Sequence, residues 1–213
     1  MKIGLIGATG KVGNLVLKEA ITRGHKVTAI VRNASKLTDK NIDVLEKDIF
    51  KLSSEDLRAF DVVINAFAAP VGEEELHVKA GRVLIEAMKG ATNTRLIVVG
   101  GAGSLFVDKE KTLHLSETPE FPKAFFATAS NQGKNLEDLQ NTKDVNWTFI
   151  SPAAFFNPEG KRTGSYKKGK DNMIMNAKGE SYVSYADYAI ALVDEIETPT
   201  HIKERFTVVS EGE

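Results

Sequence analysis

The stretch MKIGLIGATGKVGNLVL, residues 1–17, decides the fold. A short apolar run leads into three glycines at every third position, Gly7, Gly10 and Gly13, and then into a helical pattern that ends at Gly24. Glycines at a strand-to-helix turn allow a tight backbone and let a phosphate approach the amides at the helix N-terminus. The stretch therefore predicts a strand, a phosphate-binding turn and a helix, in that order.

Short apolar runs alternate with helical patterns along the rest of the chain. The predicted strands are 2–7, 26–32, 43–48, 61–67, 95–100, 146–151 and 205–210. The predicted helices are 11–23, a short one after Ser53, 73–88, about 122–141, and Tyr185–Glu197, the last with a capping box formed by Ser184 and Asp187. This alternation predicts an α/β fold in which helices cover both faces of a doubly wound parallel sheet.

Two long segments interrupt the alternation, 101–121 and 158–181, and each follows the end of a predicted strand. In open α/β sheets the ligand crevice lies outside the carboxyl ends of the strands. We therefore expect one domain over residues 1–213, with both segments on the substrate side and a small C-terminal substrate region.

The composition excludes several classes of protein. The 28 basic and 29 acidic side chains give a formal net charge of −1, so we expect neither nucleic acid nor membrane as a partner. The chain has no cysteine, and its four histidines lack the spacing of metal ligands, so we expect no metal. No apolar run approaches the roughly 18 residues of a membrane helix, and a cytoplasmic location is expected. The oligomeric state is left open.

The glycine turn predicts a dinucleotide cofactor. The residues expected to seat its pyrophosphate are Gly7, Ala8, Thr9, Gly10, Lys11, Val12 and Gly13. The second strand ends at Arg32, where an NAD site usually carries an acid, and a cation there suits a 2′-phosphate. NADP is therefore favoured, with NAD as the alternative.

The spacing G-x-x-G-x-x-G around GATG resembles the extended and atypical short-chain dehydrogenase/reductase superfamily. Together with VVGGAGSL (98–105), NWTFISPAAFFNPEGKRTGSY (146–166) and SYADYAIALVDEIETPTH (184–201), it resembles a bacterial NAD(P)-binding family of candidate NADH-flavin reductases. These are relatives of the NmrA-like and biliverdin/flavin reductase branches. The resemblance implies a Rossmann-type fold and an aspartate near the adenine, here Asp48. Further residues expected to line the cofactor are Ala66, Phe67, Gly100, Gly101 and Pro152.

The tyrosine-dependent reductases of this superfamily use a Tyr-x-x-x-Lys pair on the helix after the fifth strand. The matching helix here has Ser130 and Lys134, so the tyrosine is missing. Tyr166 and Lys170 have the right spacing but fall in a predicted loop. Flavins and quinones can accept a hydride and take their proton from water, so they do not require that tyrosine.

The candidate catalytic residues are Ser104 and Lys134, and the candidate substrate contacts are His114, Phe155 and Phe156. Three alternatives are purely structural: Ser104 as a turn residue, His114 as a solvated histidine, and the phenylalanine pair as core packing. A basic cluster in the 158–181 segment is either a solvated face or a site for a phosphorylated acceptor such as FMN; it comprises Lys161, Arg162, Lys167, Lys168 and Lys170.

These observations favour an NAD(P)H-dependent oxidoreductase that transfers hydride from NADPH to a flavin, quinone or similar planar acceptor. The main alternative is a non-catalytic redox sensor of the NmrA-like kind that binds NADP(H) and signals through a partner. A sugar-nucleotide epimerase is less favoured, because the C-terminal region is short and the tyrosine is absent.

Overall fold

A computed structural model of the protein describes residues 1–37, 39 and 41–212. The helices are α1 (Lys11–Thr22), α2 (Ser54–Leu57), α3 (Leu76–Lys89), α4 (Lys123–Gln140) and α5 (Tyr185–Glu197). The strands are β1 (Lys2–Ile6), β2 (Lys26–Val31), β3 (Asp43–Glu46), β4 (Val62–Asn65), β5 (Arg95–Val99), β6 (Asn146–Ser151), β7 (Phe155–Asn157), β8 (Tyr166–Gly169), β9 (Tyr182–Ser184) and β10 (Glu204–Ser210). Every predicted helix and strand is present, with ends that differ by a few residues.

Eight strands form the main sheet in the order β3-β2-β1-β4-β5-β6-β10-β8. The strands from β3 to β10 run parallel, and β8 pairs antiparallel with β10 at the edge. The order reverses between β1 and β4, which creates a crevice at their carboxyl ends where such sheets bind ligands. The predicted doubly wound α/β fold of the Rossmann type is confirmed.

The core has two apolar layers, one on each face of the sheet. Helices α1 and α5 cover one face, where Tyr188 and Phe206 are fully buried. Helices α3 and α4 cover the other, where Leu84 and Phe149 are buried. Because both faces are covered, the central strands need apolar side chains at consecutive positions, which is the pattern the sequence shows.

The 158–181 segment differs from its prediction as a loop. It contains β8, and a two-stranded parallel sheet of β7 and β9 flanks it. Strand β8 reads Tyr-Lys-Lys-Gly and lacks an apolar run, as an edge strand protected by lysines can.

The predicted capping box of α5 is half wrong. Ser184 does cap the helix, because its hydroxyl accepts the Asp187 N–H at 3.0 Å. The buried Asp187 carboxylate instead accepts hydrogen bonds from the backbone of Thr163 and Gly164 and from the hydroxyls of Thr163 and Ser210. It therefore ties the 158–181 segment to α5.

A buried ion pair joins the start of β5 to the end of α5. The start of β5 is the amino end of the strand, whereas the crevice lies at the carboxyl ends of the strands. Arg95 Nη2 lies 2.7 Å from Glu195 Oε1. Burial alone would raise the pKa of Glu195, but hydrogen bonds from His201 and Thr200 outweigh it and lower the pKa to about 2. Glu195 is therefore ionised in the folded protein at neutral pH.

Two kinds of feature are absent from the described residues, 1–37, 39 and 41–212. None of the helices within them is long and apolar enough to cross a membrane. They also contain no group of three or more side chains arranged to hold a metal ion.

Candidate functional site

The glycine turn between β1 and α1 is closed by a hydrogen bond from the Gly10 N–H to the Gly7 carbonyl at 2.9 Å. Gly7 has a φ of +79°, and a Cβ there would lie 2.3 Å from the Ala66 carbonyl oxygen after β4. A Cβ on Gly13 would lie 2.1 Å from the Gly7 carbonyl oxygen. Gly7 and Gly13 thus allow the turn, the helix and the neighbouring strand end to touch.

Gly10 plays a different part. It is the N-cap of α1 in an extended conformation, and a Cβ there would meet only the Gly7 carbonyl oxygen, at 3.3 Å. The helix has neither a capping side chain nor an acidic residue in its first turn. Its first amides and the positive end of its dipole are therefore available to an anion. This cradle fits a pyrophosphate.

The other residues predicted in this turn divide between core and surface. Ala8 is buried and Val12 packs against the core of α1 and α5. Thr9 and Lys11 are exposed, and Lys11 Nζ lies 3.6 Å from Glu159. Ala8 and Val12 therefore anchor the glycine turn to the core, while Thr9 and Lys11 face solvent beside it.

Arg32 follows β2 directly and is exposed. Within the described part of the chain its guanidinium has no hydrogen-bond or ion-pair partner. Glu46 at the end of β3, which the sequence analysis missed, accepts the Ala34 N–H at 2.9 Å. Glu46 is thus tied to the backbone after β2, and no hydrogen bond or ion pair joins it to Arg32 within the described residues.

Asp48 caps a short 3₁₀ turn, because its carboxylate accepts the Phe50 N–H at 2.9 Å. The Phe50 ring meets Phe67 edge-on with centroids 5.9 Å apart, and Phe67 meets His77 at 5.8 Å. Burial lowers the pKa of His77, whose Nε2 faces the Ala69 N–H at 3.4 Å. The contact of Asp48 with adenine remains a prediction. In the structure its carboxylate fixes the backbone of Phe50, the first of three aromatic rings in edge-on contact that continue through Phe67 to His77.

Gly100 and Gly101 follow β5 and leave no space for side chains. A Cβ on Gly100 would lie 2.1 Å from the Phe149 ring, and one on Gly101 would lie 2.1 Å from the Gln132 side chain on α4. Pro152, directly after β6, is buried. The two glycines therefore let the end of β5 lie against β6 and against α4, the helix that carries Ser130 and Lys134.

A cavity of about 500 Å³ lies between α4 and the 101–121 segment. It brings together Ser104, His114 and Ser130, which stands at the position of the missing tyrosine. Phe106 and Phe126 add aromatic surface to its walls. Lys134, the other predicted catalytic residue, is exposed and is not among the lining residues that the structure describes.

The side chains of Ser104 and His114 are held by neighbours that line the same cavity. Arg205 Nη1 donates to Ser104 Oγ at 3.2 Å, and the buried Arg205 side chain also pairs with Asp171. The His114 ring stacks on Phe106 at 4.5 Å, and its Nδ1 lies 3.4 Å from Glu117. Arg205 was not predicted as a site residue, although a charged residue in the apolar strand RFTVVS was a usable signal.

The other predicted substrate contacts lie elsewhere, on β7. Phe156 packs against Tyr185 and Tyr188 with ring centroids 4.0 and 4.9 Å apart, so it contributes to the core. Phe155 is 60% exposed and meets Tyr182 at 5.6 Å. Neither lines the cavity that holds Ser104 and His114.

The Tyr-x-x-x-Lys spacing at Tyr166 is coincidental. The Tyr166 hydroxyl donates to Asp194 at 2.5 Å, and burial together with this carboxylate raises its pKa well above the usual range. Lys170 pairs with Glu204 at 3.6 Å. The pair lies on an edge strand and faces α5 and β10 rather than forming a catalytic helix face.

The suggested basic cluster is also dispersed. Lys167 Nζ donates to the Met175 carbonyl and Lys168 Nζ to the Thr200 hydroxyl. Arg162 pairs with Glu19 on α1 at 3.0 Å. Neighbours from different elements contact these cations, which favours the interpretation of the segment as a solvated face over a joint site for a phosphorylated acceptor.

Comparisons with known proteins place the chain in a family. The sequence profile of the NAD(P)H-binding family matches residues 7–199. The chain is 66% identical to the uncharacterized protein YwnB of Bacillus subtilis over the full length of both. A solved structure of a candidate NADH-flavin reductase from Streptococcus pneumoniae is 43% identical, with a TM-score of 0.94 over 99% of this chain and 100% of that one.

A more distant relative is the chloroplastic divinyl chlorophyllide a 8-vinyl-reductase of Arabidopsis thaliana. It is 28% identical over 78% of this chain, which spans 42% of that protein. The family match covers the glycine turn, the crevice and both substrate-side segments. The chain therefore belongs to the NAD(P)H-binding family, and its cofactor is a nicotinamide dinucleotide.

Proposed function

We propose that the protein is an NAD(P)H-dependent oxidoreductase that reduces a planar, uncharged acceptor such as riboflavin or a quinone. The observation that carries the proposal is the cavity of about 500 Å³ at Ser104, His114 and Ser130. Its volume suits a small conjugated molecule. Ser104 and His114 belong to the 101–121 segment that follows β5, which the sequence predicts to lie on the substrate side.

The cofactor would be held by the α1 amides around Gly10, with Gly100 and Gly101 at its other half. Arg32 favours NADPH over NADH, because an exposed guanidinium without a carboxylate partner in the described chain can pair with the 2′-phosphate. When bound, the reduced nicotinamide supplies the hydride.

The cavity offers the acceptor polar and aromatic contacts. Ser104 and Ser130 present hydroxyls that can bond to a carbonyl oxygen or ring nitrogen. Phe106 and Phe126 present flat apolar surfaces against which a conjugated ring system can stack. His114, with Glu117 beside its Nδ1, can hold a proton at the cavity wall.

The charges around the cavity favour an uncharged acceptor over a phosphorylated one. The charged side chains that line it are Glu117, Glu137 and Arg205. Arg205 is neutralised by Asp171, with Nε 3.1 Å from Oδ1. The two remaining carboxylates would repel a phosphate group. We therefore expect riboflavin to be a better acceptor than FMN.

The reductase names of two relatives support this class, one for a flavin and one for divinyl chlorophyllide a. The missing tyrosine is compatible with this class, since a conjugated acceptor can be reduced without a carbonyl-protonating phenol, but by itself it favours the sensor alternative. The sensor alternative shares the cofactor site and differs in lacking turnover.

The test follows NADPH consumption under anaerobic conditions with riboflavin, FMN, menadione or no acceptor. We expect consumption with riboflavin and menadione, less with FMN, and a large loss of rate in Ser104→Ala. Ser165→Ala changes an exposed serine outside the cavity and is the matched control. If NADPH binds but no acceptor is reduced, the sensor alternative is favoured instead.

A further inference from the structure

Arg205 is a buried cation in the strand next to the proposed acceptor cavity. It occupies the second position of β10, and its side chain is only 3% exposed. Its Nε and Nη2 donate to the carboxylate and the carbonyl of Asp171, and its Nη1 donates to Ser104. The guanidinium thereby joins β10 to the 101–121 segment, which borders the cavity, and to the 158–181 segment.

Two of these bonds fix Ser104 in particular. Arg205 Nη1 donates to the Ser104 carbonyl at 3.1 Å and to Ser104 Oγ at 3.2 Å. A hydroxyl has one hydrogen to donate and two lone pairs to accept. Arg205 uses one lone pair, and within the described chain Ser104 Oγ donates to no other group. Its hydrogen is left for whatever occupies the cavity.

Asp171 holds the guanidinium in place. Its carboxylate also accepts from Lys111 Nζ at 2.9 Å, and its carbonyl accepts the Phe106 N–H at 2.9 Å. Burial raises the pKa of Asp171, but Lys111 and Arg205 outweigh it, so the pKa stays low and the carboxylate is ionised. Ser104, Arg205 and Asp171 therefore form one connected unit under the 101–121 segment.

We propose that Arg205 is a positioning residue for the reduction, holding Ser104 so that its hydroxyl donates a hydrogen bond to the acceptor. The inference rests on the proposed function, since it needs an acceptor in the cavity. Ser104 keeps its proton and stabilises the negative charge that grows on the acceptor oxygen or nitrogen during reduction. The positive charge of Arg205 at Oγ strengthens that donor.

The experiment is a double-mutant cycle on Ser104→Ala and Arg205→Met, with Arg205→Lys as the conservative variant. We measure kcat/KM for riboflavin with NADPH, and separately the Kd of oxidised riboflavin for the cofactor-free protein by fluorescence quenching. Each single variant should lose roughly tenfold or more in kcat/KM. Riboflavin binding should weaken in the same direction, and NADPH binding by calorimetry should be unchanged.

The non-additivity of the two changes distinguishes positioning from a structural role. If Arg205 acts through Ser104, the double variant should lose no more than either single variant, and Arg205→Lys should recover part of the activity. If losses multiply, or if Arg205→Met weakens NADPH binding as much as riboflavin reduction, Arg205 is structural and the inference fails. Should Arg205→Met not fold, Arg205→Lys replaces it in the cycle.

Arg82→Met removes an exposed arginine that pairs with Asp138 between α3 and α4, and serves as the matched control. It should leave kcat/KM and both dissociation constants unchanged. If the wild-type protein binds NADPH but neither binds nor reduces riboflavin or menadione, the proposed function itself fails and this inference with it. If the wild type is active and Arg205→Met equals it, the inference alone is overturned.

Discussion

Adding one methyl group at Gly10 or at Gly13 separates cofactor binding from folding. In Gly13→Ala the new Cβ would lie 2.1 Å from the Gly7 carbonyl oxygen and 2.8 Å from its carbon. Backbone must move to relieve this clash, which costs about 3 kcal/mol at the upper end of overpacking, offset by about 1 kcal/mol of helix propensity. We expect a net loss near 2 kcal/mol, or about 4–8 °C in Tm for a chain of this size.

In Gly10→Ala the backbone already has an extended φ of −76° and ψ of 164°, which alanine adopts freely. The single neighbour at 3.3 Å needs to move by only a few tenths of an ångström. Stability should fall by about 1 kcal/mol or less, from alanine's poorer capping. The methyl group instead occupies the phosphate approach and removes a charge-assisted bond of about 1.5–3 kcal/mol, so NADPH affinity should fall tenfold or more.

Thermal unfolding and calorimetric NADPH titration of the two variants give the answer. We expect Gly10→Ala to lose NADPH binding with a fall in Tm of about 4 °C or less, whereas Gly13→Ala should show the larger fall in Tm. Wild-type NADPH affinity in a folded Gly10→Ala protein would refute the assignment of the glycine turn as a phosphate seat.

Three further predictions concern charged side chains outside the glycine turn. Arg32→Ala should weaken NADPH tenfold or more and NADH much less by calorimetry, since only NADPH carries the 2′-phosphate; equal losses would make Arg32 structural. Lys167→Ala with Lys168→Ala should leave the ratio of FMN to riboflavin KM unchanged, because their amines contact Met175 and Thr200; a selective rise for FMN would contradict this. The free energy of unfolding of the wild type, measured with urea, should fall by about 2–3 kcal/mol as the pH is lowered from about 4.3, the pKa of an unfolded glutamate, towards about 2, the pKa of Glu195 in the folded protein. This loss should be smaller in Glu195→Gln. An identical pH dependence in both proteins would remove Glu195 as its source.

Much of the fold was predictable because its causes are local. Three glycines and a preceding apolar run specify the first strand, turn and helix, and consecutive apolar positions mark strands covered on both faces. Strand β8 was missed because its stability comes from pairing with β10, whereas its own residues, Tyr166–Gly169, have no strand pattern. Asp187 was misassigned because its partners, Thr163 and Gly164, lie 24 and 23 positions away.

The candidate site was predictable only in part, for the same reason. The cofactor side lies on strand ends whose order the topology fixes, so candidate residues there follow from their positions, and their contacts with the cofactor stay predictions. The acceptor side depends on contacts between distant segments: Arg205 meets Asp171 across 34 positions and Ser104 across 101. Phe155 and Phe156 follow a strand end as expected, yet they lie on β7, and Phe156 packs against α5.

The central claim is that NADPH bound at the glycine turn reduces an acceptor bound in the Ser104 cavity. A single-turnover experiment tests this claim most directly. Stoichiometric NADPH and riboflavin are mixed anaerobically with excess protein, and the absorbances of the reduced nicotinamide and the oxidised flavin are followed together. The account predicts that both decay at one rate and in equal amounts. It also predicts that this rate falls in Gly10→Ala through weaker NADPH binding, and in Ser104→Ala with NADPH binding unchanged. Tight NADPH binding with no flavin reduction in the wild-type protein would contradict the account.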